Sequence, residues 1–365
     1  MRCPITISVI IFSLLLAFTQ AFAETLTFTR EYTYESSQFD SEASSRTLAL
    51  SNAKRFILDE LGAFLVNSLE AKKMQLTKDQ IITYIAGIIS AETIDEKWDG
   101  KNYLVKAKMS ADPDEALKAI EKIVQDNNSI QTLEDAAKKT KELNKENEKL
   151  KRALEDGAIA KKHDAKAEAK NIKEYESTIK GLEAVEWLER GFQAAYNANW
   201  KEALDAYTNA INLKPDYAFA YMRRGMVYSR FLDNYQQAIK DFTKAIEHKP
   251  DFAEAYFYRC SVHSDLGNYK QSIKDCTKAI ELKPDFSGAY NNRGYAYVGL
   301  GYQEAIKDYD KAVELDPKDV AAYFSRGIAY DELGDHQRAV NDFKTAAKWG
   351  DKRAQDILTK EKIQW

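Results

Sequence analysis

SGAYNNRGYAYVGLGYQEAIKDYDKAVELDP, residues 287–317, decides how the rest of this chain is read. Its small residues Gly294, Ala305 and Ala312, its aromatics Tyr290, Tyr297 and Tyr309, and its closing Pro317 return elsewhere in the same order. Pro215, Pro250, Pro284 and Pro317 follow one another at steps of 35, 34 and 33 residues. A fifth copy, around Ala339 to Ala346, lacks the proline. Upstream of each copy stands an aromatic four residues before a small side chain: Trp187/Gly191, Tyr221/Gly225, Tyr256/Cys260, Tyr290/Gly294 and Tyr323/Gly327. A fixed period near 34 residues with helical spacing inside it predicts stacked helix pairs. Small residues let two antiparallel helices approach closely. The aromatics fill the space between pairs, and the proline stops the second helix of each.

Residue by residue, this pattern resembles the tetratricopeptide repeat over residues 184 to about 348. The second copy supplies Tyr221, Gly225, Tyr228, Ala238, Phe242, Ala245 and Pro250 at the family's seven marker positions, with one extra turn residue at Asp233-Asn234. The fourth has lost one residue after Gly301. The resemblance implies an α-solenoid of five repeats over residues 184–350, each burying its apolar face only against its neighbours. Residues 351–365, with Ile357 and Leu358, are expected to form a capping helix.

In this family the first helix of each repeat lines a concave groove. Carried onto this sequence, the groove positions are Leu188 and Phe192, Met222 and Met226, Phe257 and Ser261, Asn291 and Tyr295, Phe324 and Ile328. Such a surface suits an apolar peptide or an amphipathic helix. It departs from the Lys/Asn clamp with which some members grip a terminal carboxylate; Asn291 alone resembles it. The alternative is that part of this surface packs against the chain's own preceding segments.

Two further periodic features accompany the repeats. Arg190, Arg224, Arg259, Arg293 and Arg326 precede the small residue of the first helix, and Asp241, Asp275, Asp308 and Asp342 precede the aromatic of the second. Matching periods favour repeated structural pairs over a basic ladder for an acidic ligand. Cys260 and Cys276 take the small and aromatic positions of one repeat, where both side chains point between its helices. A disulfide is geometrically allowed there; the alternative is a pair of small buried thiols.

Before the repeats, residues 126–183 are rich in Lys, Glu and Ala and read as a charged helical spacer. Leu133, Thr140, Asn147 and Leu154 fall on one heptad position, and Ala136, Leu143, Leu150 and Gly157 on another. This predicts a possible coiled coil and, through it, a homodimer. The phase breaks after Gly157 and resumes at Ile172, Tyr175, Ile179 and Leu182, as a stutter would. The other reading is a single solvated helix.

Residues 24–125 predict a small α+β domain. Leu26, Phe28, Arg30, Tyr32 and Tyr34 alternate as in a strand. Asp40 or Ser41 caps a helix carrying Ala49, Ala53, Ile57, Leu61, Leu65 and Leu69. A short helix near 78–86 precedes a hairpin with strands 88–98 and 102–109, turning at Asp99-Gly100. Asp112-Pro113 starts a further helix. This order, with its Gly-Ile-Ile run and its Glu-Lys-Trp-Asp-Gly-Lys-Asn-Tyr hairpin, resembles the N-terminal domain of the flagellar T-ring protein and related small exported lipoproteins. That resemblance implies a role in an envelope assembly and carries no catalytic residues.

Residues 1–23 read as a secretory signal: Arg2, an apolar stretch from Ile5 to Phe18, and Ala21-Phe22-Ala23 before a cleavage point at Glu24. The mature chain is expected to be exported, periplasmic or otherwise envelope-associated, and not membrane-spanning. A formal charge of −4 and a pI near 5.8 argue against nucleic acid as a partner. Neither a phosphate loop, a Gly-x-Ser-x-Gly elbow nor His-Glu-x-x-His occurs, and His163, His248, His263 and His336 have no metal-ligand spacing. No enzyme activity and no cofactor are therefore expected. The sequence reads as a protein–protein interaction scaffold, with a structural spacer whose groove is filled internally, or an accessory to a peptidoglycan- or envelope-acting enzyme, as alternatives.

Overall fold

The computed structural model describes residues 25–365 apart from residues 90, 125–126, 160–164 and 302–303. The expected signal segment lies outside the described residues. The chain is mainly helical, with a three-stranded sheet near its start. Strand β1 (Leu26–Glu35) pairs antiparallel with β3 (Asn102–Ala111), which also pairs with β2 (Glu92–Trp98), giving the order β1-β3-β2. β2 begins four residues later than its alternation suggested. Ser41, not Asp40, caps α1 (Glu42–Leu65) by accepting from the Ser44 amide. The helix stops at Leu65, and Leu69 opens a separate short α2 (Leu69–Lys73). A capping box formed by Thr77 and Gln80 starts α3 (Lys78–Ala86). At the hairpin turn Gly100 takes φ +91°, a conformation that costs a glycine little.

One face of the sheet packs on α1. Val105, Ala107 and Met109 of β3 are buried with Ala53, Ile57, Leu61 and Leu65. Helix α4 (Pro113–Val124) adds Leu117, Ile120 and Ile123 to the same core.

The charged segment is the main departure from the sequence reading. It forms two helices, α5 (Asn127–Ile159) and α6 (Ala165–Tyr196), packed on one another within one chain. A side chain at Gly181 would meet Leu143 at 3.1 Å, each 16 residues from the facing helix ends Ile159 and Ala165, so the pair runs antiparallel. The seam residues Ala136, Leu143, Leu150 and Leu154 are buried with Tyr175, Ile179 and Leu182 of α6. The homodimer expected through this seam therefore loses its surface, because α6 already covers it. The break in heptad phase falls where one helix ends and a second begins. A heptad stripe specifies that a helix has a partner without saying which helix that is.

Helix α6 also runs without a break through residue 184, so its last turns serve as the first helix of repeat 1. The remaining pairs are α7 (Trp200–Leu213), α8 (Ala218–Phe231) with α9 (Tyr235–His248), α10 (Ala253–Asp265) with α11 (Tyr269–Leu282), α12 (Ser287–Gly299) with α13 (Ala305–Leu315), and α14 (Val320–Glu332) with α15 (His336–Lys348). The cap is α16 (Lys352–Lys360), which buries Ala354 and Leu358 against α15.

A buried polar knot fastens the N-terminal module to the hairpin. Asp40, whose side chain is fully buried, accepts from Tyr34 Oη (3.2 Å), from the Ser37 amide (2.7 Å) and from Tyr175 Oη. Lys151 Nζ donates to Tyr34 Oη at 2.9 Å. A polar group is tolerated at such depth only with hydrogen-bond partners.

Candidate functional site: the concave face of the repeats

The repeat framework is set by two devices. In repeats 2 to 5 the arginine of the first helix grips the aspartate of the second through two parallel hydrogen bonds. For Arg224–Asp241 and Arg259–Asp275 both are 2.8 Å, and for Arg293–Asp308 both are 2.7 Å. The third nitrogen reaches back one repeat, from Arg224 to Thr208, Arg259 to Thr243 and Arg293 to Thr277. The arginines thus tie each helix pair to the one before it, as the structural reading of their period required. Hydrogen bonds to Asp308 hold the Arg293 guanidinium above its ordinary pKa, against the opposing effect of burial. Repeat 1 has Ala206 in place of the aspartate, and Arg190 lies instead over the Trp187 ring at 4.9 Å.

The second device is close approach. A Cβ added at Gly225, Gly294 or Gly327 would lie 2.8, 2.8 or 2.7 Å from the ring of Phe242, Tyr309 or Phe343. In repeat 3 both members of that pair are cysteine. The structure joins Cys260 to Cys276, with a Cα–Cα separation of 5.4 Å and both residues fully buried. Around them, Ser264 and Ser272 share a hydrogen bond of 2.6 Å, and His263 stands where repeats 2, 4 and 5 have tyrosine. Burial pushes the His263 imidazole below its usual pKa.

The structure divides the expected groove residues in two. Successive first helices touch one another, α10 on α12 and α12 on α14, so their shared face continues along the array. At its N-terminal end that face is covered. Leu188 is buried with Leu48 of α1, and Phe192 belongs to the core of the N-terminal module. Three polar links hold this contact: Thr47 Oγ1 to Glu183 (2.7 Å), Gln193 Nε2 to the Ile88 carbonyl (2.6 Å), and a partly buried ion pair between Lys54 and Glu189. Burial raises the carboxyl pKa of Glu186 beside them. Met222 is buried too, between repeats 2 and 3.

Beyond this point the face opens. Met226, Phe257, Asn291, Phe324 and Ile328 are half-buried, and Tyr295 is 50% exposed. Phe257 leans on Phe286 with ring centroids 4.7 Å apart, and Arg353 of the cap lies 4.0 Å from the Phe324 ring centre. Asn291 carries a buried amide oxygen without a hydrogen-bond partner. Position-by-position mapping could not foresee which end is covered, because the covering residues belong to the N-terminal module and not to the repeats.

Reading the repeats alone also missed a cleft of about 420 Å³ where α4, α6, α7 and α8 meet. It is lined by Phe192, Trp200, Met226 and Phe231, together with Lys122, Arg223 and Arg230. Trp200 gives no signal for it in the sequence, because Tyr235, Tyr269 and Tyr302 hold the same position in the next three repeats. Among the described residues no cluster of His, Cys, Asp and Glu could hold a metal ion, and no helix is long and apolar enough to cross a membrane.

These stacked pairs, with their Arg–Asp ties and Gly–aromatic contacts, make a helical-repeat protein. Family models described as tetratricopeptide repeat match residues 220–252, 253–286 and 320–349, and one described as TPR repeat matches residues 302–334. The segment from residue 220 to 349 thus carries tetratricopeptide repeats. Among solved structures, MamA is similar at 26% identity over 45% of this chain and 96% of its own, with a TM-score of 0.40. YrrB, titled a TPR protein with an unusual peptide-binding site, is similar at 21% identity over 53% of this chain and 97% of its own (TM-score 0.41). PilF of Pseudomonas aeruginosa is similar at 14% identity over 48% and 81% (TM-score 0.45). The comparison with curated protein sequences gives no match.

Proposed function

We propose that this chain is a non-enzymatic, exported scaffold that holds an apolar peptide or amphipathic helix of another protein in the open part of its repeat groove. One observation carries the reading. The N-terminal module fills the groove at Leu188 and Phe192 and Met222 is buried between repeats, whereas among the described residues Met226, Phe257, Phe324 and Ile328 stay half-buried and Tyr295 exposed. Half-buried aromatic and methionine side chains along a concave helical face adapt well to an apolar partner. The unpartnered amide oxygen of Asn291 offers a hydrogen bond within the same stretch. The leader-like residues 1–23 support export, and the N-terminal module's order of elements supports a place in an envelope complex.

Photo-crosslinking in cells from position 257 tests the groove. One dominant trapped protein is expected, with its yield reduced by Phe324→Asp. Crosslinks confined to residues 24–182 of this chain would overturn the reading and favour the internally filled spacer. Sequencing the N-terminus of the protein recovered from the periplasmic fraction tests export, and Glu24 is the expected first residue.

A further inference from the structure

We propose that the cleft between α4 and the first two repeats is a second peptide site, and that it selects an acidic segment carrying one aromatic or large aliphatic anchor. The proposal extends the groove reading, since it gives the groove's closed end its own ligand chemistry. Three observations converge on it.

The first is the floor. Phe192 and Met226 form its apolar base, and Trp200 stacks on Phe231 with centroids 3.6 Å apart and planes 9° from parallel. Phe231 nevertheless remains 47% exposed, a large apolar surface for a residue at the mouth of a cavity. A volume of about 420 Å³ admits one or two large side chains and not a folded element.

The second is charge. Lys122 comes from α4, and Arg223 and Arg230 from α8; no acidic side chain lines the cleft among the described residues. This occurs in a chain whose net charge is −4. Each cation also lies near an aromatic face: Lys122 at 4.9 Å from the Tyr196 centroid, Arg223 at 5.2 Å from Phe192, and Arg230 at 5.5 Å from Tyr258. Stacked in this way, the cationic groups are held beside the apolar floor. Arg223 is buried in the cleft wall, and a carboxylate flanking an inserted ring would meet the exposed Lys122 and Arg230 at the rim, where complementary charge governs selection.

The third is construction. One wall is α4 of the N-terminal module and the others are repeat helices, so the site exists only when the module is docked. The turn between α6 and α7 holds Ala198 at φ +58°, where repeats 3 to 5 use glycine. A side chain is thus kept on the cleft lining at a position the backbone gives more readily to glycine.

Selection of a random peptide display library on the immobilised full chain tests the proposal. Enriched peptides are expected to place Asp or Glu beside Phe, Trp, Leu or Met. Lys122→Glu combined with Arg230→Glu should weaken them by about tenfold or more. Phe257→Asp should leave them bound. Both replaced cations are exposed, and an unchanged melting curve checks the fold. Enriched peptides lacking acidic residues, or ones indifferent to the double charge reversal, would overturn the cleft. Peptides lost only with Phe257→Asp would overturn it too while upholding the groove. Peptides lost only with the charge reversal would uphold the cleft, and the groove reading would then stand or fall on the crosslink from position 257. A library that enriches nothing would count against the cleft.

Discussion

Repeats 3 and 4 adopt the same helix-pair geometry by different chemistry. In repeat 4, Gly294 lets the Tyr309 ring lie against the backbone, and Ala305 and Tyr297 complete an apolar interior. In repeat 3 the corresponding residues are Cys260, Cys276, Ser272 and His263, so most of the aromatic volume is absent and a covalent tie stands in its place. Both keep the Arg–Asp grip unchanged. The geometry of a repeat is thus fixed by the grip and by close approach, while the filling between its helices can be exchanged.

The largest effect is expected where the two repeats agree. Arg293→Ala and Arg259→Ala each strand a buried aspartate, at a cost of about 3–5 kcal/mol. Urea unfolding of the two variants should give similar losses. A loss at Arg259 much smaller than at Arg293 would break the claim that the grip is shared.

The next effect should separate them. Reducing the protein, or replacing Cys276 with Ala, removes a cross-link spanning 16 positions, a loss of about 3 kcal/mol in the chain-entropy account. The fourfold change Cys260→Gly, His263→Tyr, Ser272→Ala and Cys276→Tyr converts repeat 3 to its neighbour's filling. That variant should melt near the oxidised parent and ignore reductant. If it unfolds instead, the two fillings are not interchangeable. In repeat 4, Gly294→Ala forces a methyl to within 2.8 Å of the Tyr309 ring, and overpacking of this kind costs about 1–3 kcal/mol. Calorimetry should show that loss with and without reductant alike.

How much of this was legible in the sequence follows from the same contrast. The five repeats were legible because each marker residue returns with its period, and even the cysteines announced themselves by standing at marker positions. The hairpin of α5 and α6 was not. Its leucines show a stripe, and a stripe fits a partner in another chain as well as one 30 residues further along. The covered end of the groove was hidden for a related reason. Leu188 and Phe192 obey the repeat's rules, but Leu48, Ile123 and Gln193's acceptor at Ile88 belong to a module with no period to align. Local rules recur in sequence, whereas docking between unlike modules leaves no recurring mark.

The smallest expected effect concerns His263, which gives repeat 3 a titrating group where repeat 4 has Tyr297. Its Nε2 lies 4.0 Å from Asp275 and its buried Nδ1 has no hydrogen-bond partner. Burial depresses its pKa more than the Asp275 carboxylate raises it, and Arg259 acts with burial. The folded state therefore binds the proton less readily than the unfolded chain. Above the ordinary histidine value of 6.5 the imidazole is neutral in both states and contributes no pH dependence. Below it the unfolded chain takes up the proton first, so stability falls as the pH drops toward the depressed value. Unfolding midpoints at about pH 7.5 and about pH 5 should differ less in His263→Gln than in the parent. An equal pH response in both would mean that Asp275 holds the protonated imidazole in the folded state, and that this position adds no pH sensitivity to repeat 3.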